Sequence, residues 1–205
     1  MHRRRFIRQV ILFSAGYSLS IPRFSLQEAV AAALPTSDLA SVTGSDYQAV
    51  VMESINLLGG MEHFVKPGDK VVVKPNIGWD RSPEQAANTH PLVVKTLIEL
   101  ALEAGAKEVR LFDYTCNEKR RCYINSGIKE AVDSLKTRKV KLVHIDERKF
   151  VPVDIEAGRS LTRWEIYQDA LTADTYINVP VAKHHSLSRL TLGLKNSMEI
   201  GRAHV

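Results

Sequence analysis

The segment KPGDKVVVKPNIGWD, residues 66–80, reads as a turn feeding a short β-branched run. Pro67 and Gly68 punctuate the chain, Val71–Val73 form a strand, and Lys74-Pro75-Asn76 leave it. Upstream, SDYQAVVMESINLLGG (45–60) sets Val50, Val51, Ile55, Leu57 and Leu58 at helical spacing, with Ser45 or Asp46 as N-cap and Gly59-Gly60 as terminator. Downstream, HPLVVKTLIELALEAGAKEV (90–109) predicts a second helix: Thr89 or His90 caps it, Pro91 sits in its first turn and Gly105 ends it. A strand at EVRLFD (108–113), a helix near INSGIKEAVDSL (124–135) and a strand at VKLVHID (140–146) come next. A short helix at WEIYQDALTA (164–173) then leads to a strand at TYINVPV (175–181).

Strand and helix in turn predict an α/β fold: a mostly parallel sheet flanked by helices on both faces, with Rossmann-like layering. The domain runs over 46–198 behind a linker at 34–45. Ligands of open parallel sheets sit outside the carboxyl ends of the strands. Lys74 and Asn76 follow the first strand, Asp113 ends the second, and TYINVPV runs into Lys183-His184-His185. Separate strands thus deliver Lys, Asn, Asp and His to one rim.

Composition narrows the partners. The chain has 205 residues, 44% hydrophobic and 25% charged, with a net charge of +5. Residues 1–33 hold five arginines and one glutamate, which leaves only +1 for the rest. A broad nucleic-acid surface is therefore not expected. HRRRFIRQVILFSAGYSLSI joins an arginine cluster to a moderately apolar run from Val10 to Ile21. That run is shorter than the roughly 20 residues a membrane-spanning helix needs. Charged, apolar and small-residue regions in that order describe an export signal, and Arg3-Arg4-Arg5-Phe6-Ile7-Arg8 resembles the bacterial twin-arginine signal. The expectation for 1–33 is export to the periplasm through the twin-arginine machinery, with no stable transmembrane span.

Three blocks carry a family resemblance: KPGDKVVVKPNIGWD, NTHPLVVKTLIELALEAGAKEVRLFD and ADTYINVPVAKHHSLSRLTLGLKNSM. Together they resemble the domain of unknown function 362 family over about residues 46–198. The most specific elements are Lys-Pro-Asn after the first strand, Lys-x-His after INVPV, and the Thr-Leu-x-Leu-Lys-Asn that follows. The resemblance implies site positions at Lys74, Asn76, Asp113, Lys183, His185, Thr191, Lys195 and Asn196. It also implies that some relatives carry a ferredoxin-like iron–sulfur segment. In the family, Leu-Lys-Asn leads to methionine, glycine and further domain; here Ser197-Met198 gives way to EIGRAHV. Back-translated as GAG ATC GGA AGA GCA CAC GTC, that tail matches a common sequencing-library adapter apart from its leading bases. The expectation is that 199–205 are an artefact and that the domain is truncated.

Lys74, Lys183 and Lys195 beside Asn76 and Asn196 make a cationic, donor-rich pocket suited to a carboxylate or phosphate. His184 or His185 would add acid–base chemistry near neutral pH, and a buried lysine could serve as base or nucleophile. Lys183, His185 and Lys74 are the catalytic candidates; Asn76, Asp113, Thr191, Lys195 and Asn196 are the ligand-binding ones. No glycine-rich phosphate loop of the P-loop or GxGxxG kind occurs. The only cysteines, Cys116 and Cys122, stand as C-x5-C. Two plain thiols or a disulfide fit that spacing, whereas a metal-ligand role with His144 or His185 is what the resemblance implies, through a Cys-Asn…Cys-Tyr pattern shared by exported members. Two functions follow. One is a small-anion or cofactor site, extending to a metal-assisted enzyme. The other is an iron–sulfur redox or assembly accessory whose cluster segment lies outside this fragment.

Overall fold

The computed structural model describes residues 37–186 and 188–202. The expected signal, with Arg3, Arg4, Arg5 and Phe6, lies outside them. Asp46 begins the first helix: its carboxylate accepts from the backbone N–H groups of Gln48 and Ala49 at 2.9 and 3.1 Å, satisfying donors that a helix start leaves open. In chain order the elements are α1 (Tyr47–Leu57), α2 (Met61–Phe64), β1 (Lys70–Pro75), α3 (Pro91–Glu103), β2 (Glu108–Leu111), α4 (Lys119–Asn125) and α5 (Ile128–Asp133). They continue with β3 (Val140–Leu142), β4 (Phe150–Asp154), β5 (Arg163–Tyr167), α6 (Gln168–Leu171), β6 (Thr175–Val179), β7 (Lys183–His185), β8 (Arg189–Thr191) and α7 (Gly193–Met198).

Four strands form the parallel sheet, in the order β3-β2-β1-β6. Val73 lies opposite Leu111 on one side and Ile177 on the other, so β1 occupies the centre. Its side chains alternate between two packed layers, as the period of a strand requires. Val71 and Val73 join Val94, Leu97, Ile98, Ala101, Val109, Leu111, Ile128 and Val132 in the larger core, which α1, α3 and α5 supply. Val72 faces the other way, onto Phe112, Phe150 and Tyr167. Full burial of each such side chain contributes roughly 1.5–3 kcal/mol. The α/β fold and parallel sheet expected from the sequence are thus observed, and no helix among the described residues is long and apolar enough to cross a membrane.

Three local readings need correction. WEIYQDALTA is not one helix: Arg163–Tyr167 pair antiparallel with Phe150–Asp154, and only Gln168–Leu171 turns helical. Alternation decides this, because Tyr167 must enter the second core, where its ring meets Phe112 edge-on at 4.8 Å. That face is therefore covered by a hairpin and short helices. The helix expected at 124–135 is broken at Gly127, whose φ of 73° belongs to the left-handed region. A Cβ there would also stand 3.3 Å from Pro91 Cγ. Finally, β6 stops at Val179, before Pro180, and Lys183–His185 pairs instead with Arg189–Thr191 as a separate antiparallel hairpin.

Gly105 ends α3 at φ 97°, with the position of a Cβ only 3.0 Å from Pro67 Cα, whereas Gly68, at φ 93°, has open space around it. Gly105→Ala should cost more than the roughly 1–2 kcal/mol of left-handed strain alone, and Gly68→Ala about that strain. Chemical denaturation of the two variants checks this; equal losses would contradict the contact with Pro67.

Candidate functional site

The site begins with a lysine inside the sheet. Lys74 lies on β1, its side chain wholly buried, with Nζ 2.5 Å from Asp113 Oδ1, whose side chain is also wholly buried. Asp113 is held from several directions. Its Oδ2 accepts from Ile77 N at 2.5 Å, its Oδ1 from Tyr114 N at 2.8 Å, and its own N–H donates to the Tyr123 hydroxyl at 2.8 Å. Lys74 Nζ also donates to Asn196 Oδ1 at 2.9 Å and meets Glu199 Oε2 at 2.9 Å. Asn196 returns a bond from Nδ2 to Lys74 O at 3.1 Å and donates to Asn178 Oδ1 at 2.7 Å. This fixes α7 across the carboxyl ends of β1 and β6, where Lys74 and Asn178 are register partners.

A second network starts one residue past β1. Asn76 N donates to Thr89 Oγ1 at 2.8 Å, and that hydroxyl donates to Val179 O at 2.7 Å, joining the ends of β1 and β6 through the residue before the α3 cap. Asn76 Oδ1 accepts from Lys183 Nζ at 2.7 Å, and Ala87 O accepts from the same ammonium at 2.7 Å. Thr191 closes the small hairpin, its hydroxyl 2.9 Å from Val181 O and 3.2 Å from Lys183 O.

Between these networks lies a cavity of about 150 Å³. Asn76, Lys183, His184, His185, Lys195 and Asn196 all line it, with Thr191, Trp79, Cys116 and Glu199 completing the wall. The rim inferred from strand ends therefore comes together in one place, with two exceptions. Lys74 and Asp113 do not reach this cavity; they lie beneath it, and Asp113 lines a neighbouring hollow with Tyr114, Thr115 and Lys119. Lys74 is thus placed as a buried anchor, not as a solvent-facing group. Sequence reading missed Thr89 as a bridge, Asn178 as the partner of Asn196, and Trp79 in the wall. NTHP and KPNIGW contain the first and last, but only the β1–β6 register brings Asn178 to the rim, and only the bonds to Asn76 and Val179 bring Thr89 there.

Burial pushes the Asp113 carboxyl up to about 7 against the opposing pull of Lys74, and the Glu199 charge adds to the rise. Burial pulls the Lys183 ammonium down, while Glu199 holds it up. A 332/(εr) attraction at contact distance is large in a dry interior, yet removing both charges from water costs comparably. Cys116 and Cys122 are both free thiols. Cys116 faces the cavity, whereas Cys122 is buried on α4 and His144 packs against Tyr123, ring centroids 4.5 Å apart. Among the described residues no three His, Cys, Asp or Glu side chains come together to hold a metal. Two cysteines in the whole chain cannot supply a four-thiolate cluster.

Residues 71–203 match the family described as Domain of unknown function (DUF362). A thylakoid-associated protein of Synechocystis sp. is 31% identical over 146 residues, which cover 68% of this chain and 41% of that protein. A structural-genomics crystal structure of a Thermotoga maritima protein superposes with a TM-score of 0.50 at 18% identity, over 75% of this chain and 38% of that one. That likeness extends to the fold. The chain spans about two fifths of the length of each of these relatives. It belongs to the DUF362 family.

The Asp113 carboxyl gives a pH signature. A folded value above the ordinary 3.8 means that the native state keeps a proton the unfolded chain has already lost. Wild type should therefore lose stability relative to Asp113→Asn as pH rises from about 4 to about 7. Denaturant midpoints of both proteins across that window check it. A wild-type advantage that grows with pH would mean that the Lys74 attraction outweighs burial.

Proposed function

We propose that this member of the DUF362 family uses the cavity above the Lys74–Asp113 pair to bind a small anion of the carboxylate or phosphate class. One observation carries the proposal: two lysines, two amides and two imidazoles from separate elements converge on one cavity at the carboxyl rim of a parallel sheet. Lysine ammoniums supply charge and asparagine amides supply directional hydrogen bonds. Size supports a small ligand, because the cavity measures only about 150 Å³. It falls below the roughly 300–1,000 Å³ of pockets for drug-sized molecules. Glu199 is the one acidic side chain in the wall; its carboxylate is held by Lys74 Nζ at 2.9 Å and Lys195 Nζ at 3.2 Å, so an anion bound here competes with it for Lys195.

Within the site, Lys183 is the primary contact. Its ammonium is oriented by Asn76 and Ala87 O, while burial lowers its proton affinity against the pull of Glu199. Lys195, paired with Glu199 at 3.2 Å, adds the second charge when the anion displaces that carboxylate. Ser188 N donates to His185 Nδ1 at 3.2 Å, so an imidazole on this rim is already oriented by the turn of its own hairpin.

Calorimetric titration with acetate, oxalate, lactate and inorganic phosphate tests the proposal. Lys183→Ala should weaken the best ligand by about tenfold or more, the worth of one charge-assisted hydrogen bond, and raised salt should weaken it further. Lys129→Ala, which removes a surface pair with Asp133 on α5, should leave affinity unchanged. Equal affinities for wild type and Lys183→Ala, with both folded, would contradict the proposal.

A further inference from the structure

We propose that Cys116 and Cys122 form a reversible disulfide that reshapes the wall of the cavity. The two residues converge on one atom. Cys116 N donates to Gly78 O at 2.8 Å, and Cys122 Sγ lies 3.9 Å from that same oxygen. The Cys116 thiol itself lies over Gly78, 3.8 Å from where a Cβ would stand. Local structure explains the convergence. Glu118 caps α4 with its carboxylate on the N–H groups of Arg120 and Arg121, which makes Cys122 the fourth helical residue. Cys116 lies two residues before this cap, and its N–H bond to Gly78 O holds it beside the first turn of α4.

The two thiols differ in access. Cys116 is exposed and lines the cavity, and Cys122 is buried behind it. That arrangement suits an attacking thiol and a resolving thiol. With glutathione disulfide as oxidant, the Cys116 thiolate attacks one glutathione sulfur and expels the first glutathione as thiolate. The Cys122 thiolate then attacks Cys116 Sγ and expels the second. Two protons leave the protein thiols and end on two glutathione molecules, so the exchange balances. Burial pushes both thiols above their ordinary range, and the exchange accordingly runs faster as pH rises.

The consequence reaches the rim through short bonds. Drawing Cys116 Sγ toward Cys122 takes a thiol out of the cavity wall and pulls on Gly78. Gly78 lies between Trp79 and the Ile77–Asn76 pair, and Asn76 Oδ1 orients Lys183. Asp80 N donates to Asn117 Oδ1 at 3.0 Å, so the two loops move together. The disulfide goes beyond the anion-binding reading and does not depend on it.

The test uses the full chain carrying Trp164→Phe, which leaves Trp79 as the single tryptophan. Equilibration in glutathione disulfide should remove two hydrogens from the intact mass, link the Cys116 and Cys122 peptides, and shift Trp79 emission; dithiothreitol should reverse all three. Cys122→Ser should stop at a glutathione adduct on Cys116. Two free thiols, or a stable glutathione adduct on the wild-type cysteines, would overturn the proposal. A disulfide without any change at Trp79 would overturn the claim on the cavity wall. None of the three readouts measures anion affinity, and repeating the oxidation with the uncharged 2-hydroxyethyl disulfide separates the result from the anion site, so failure of that site would leave it standing.

Discussion

A lysine ammonium with no exposure to water constrains everything around it. Lys74 sits in the central strand, where a hydrophobic side chain would cost nothing to bury, and its charge is tolerated because Asp113, Glu199 and Asn196 surround it. An uncompensated charge in such a place would be strongly destabilising. The pair therefore fixes the position of the β2 end against β1. Asp113 in turn receives the Ile77 and Tyr114 N–H groups and bonds to the Tyr123 hydroxyl. Tyr123 is itself buried, with its oxygen 3.1 Å from Val143 O, so the end of β3 is tied in as well.

From that anchor the cavity follows by connection. Asn196 carries α7 onto β1 and β6, and the same helix presents Lys195 to the cavity. Thr89 joins Asn76 to Val179, which brings the chain leaving β6 beside the chain leaving β1. Lys183 then enters the space between them and is held by Asn76 and Ala87 O. The polar groups at the surface of the site are thus backed by groups that water does not reach. Such backing is what keeps binding side chains in one geometry. The nearby apolar surface is less covered: Leu194 is 89% exposed on α7, and Leu190 and Leu192 beside it are also exposed.

Much of this was legible in the residues. Val71–Val73, the capped helix over 90–103 and the strand at 108–111 carry strong local signals, and their alternation implies a parallel sheet. The parallel sheet in turn predicts that Asn76, Lys183 and the residues around them share a rim. What local pattern does not carry is tertiary pairing. Arg163–Tyr167 has enough polar residues to pass for a helix, and only its partner strand and the pocket for Tyr167 make it extended. Lys183–His185 follows a strand closely enough to read as its continuation, yet Pro180 ends that strand and Arg189–Thr191 recruits it. The depth of Lys74 was hidden for a related reason. A lysine after a valine run looks solvated until the register shows Asp113, Asn178 and Asn196 closing over it.

The central claim is that Lys74 and Asp113 are coupled within the fold and that the site is built upon their coupling. A double-mutant cycle with Lys74→Met and Asp113→Leu, read by denaturant unfolding of the full chain, measures this most directly. Read at about pH 8, where the Asp113 carboxyl is ionised, and in a Glu199→Gln background that removes the other carboxylate on Lys74, each single variant leaves one buried charge without its partner and should lose about 3–5 kcal/mol. The double variant removes both charges and should be more stable than either single one. Losses that simply add would contradict the account, because they would mean that the two charges meet water, or each other, far less intimately than 2.5 Å implies.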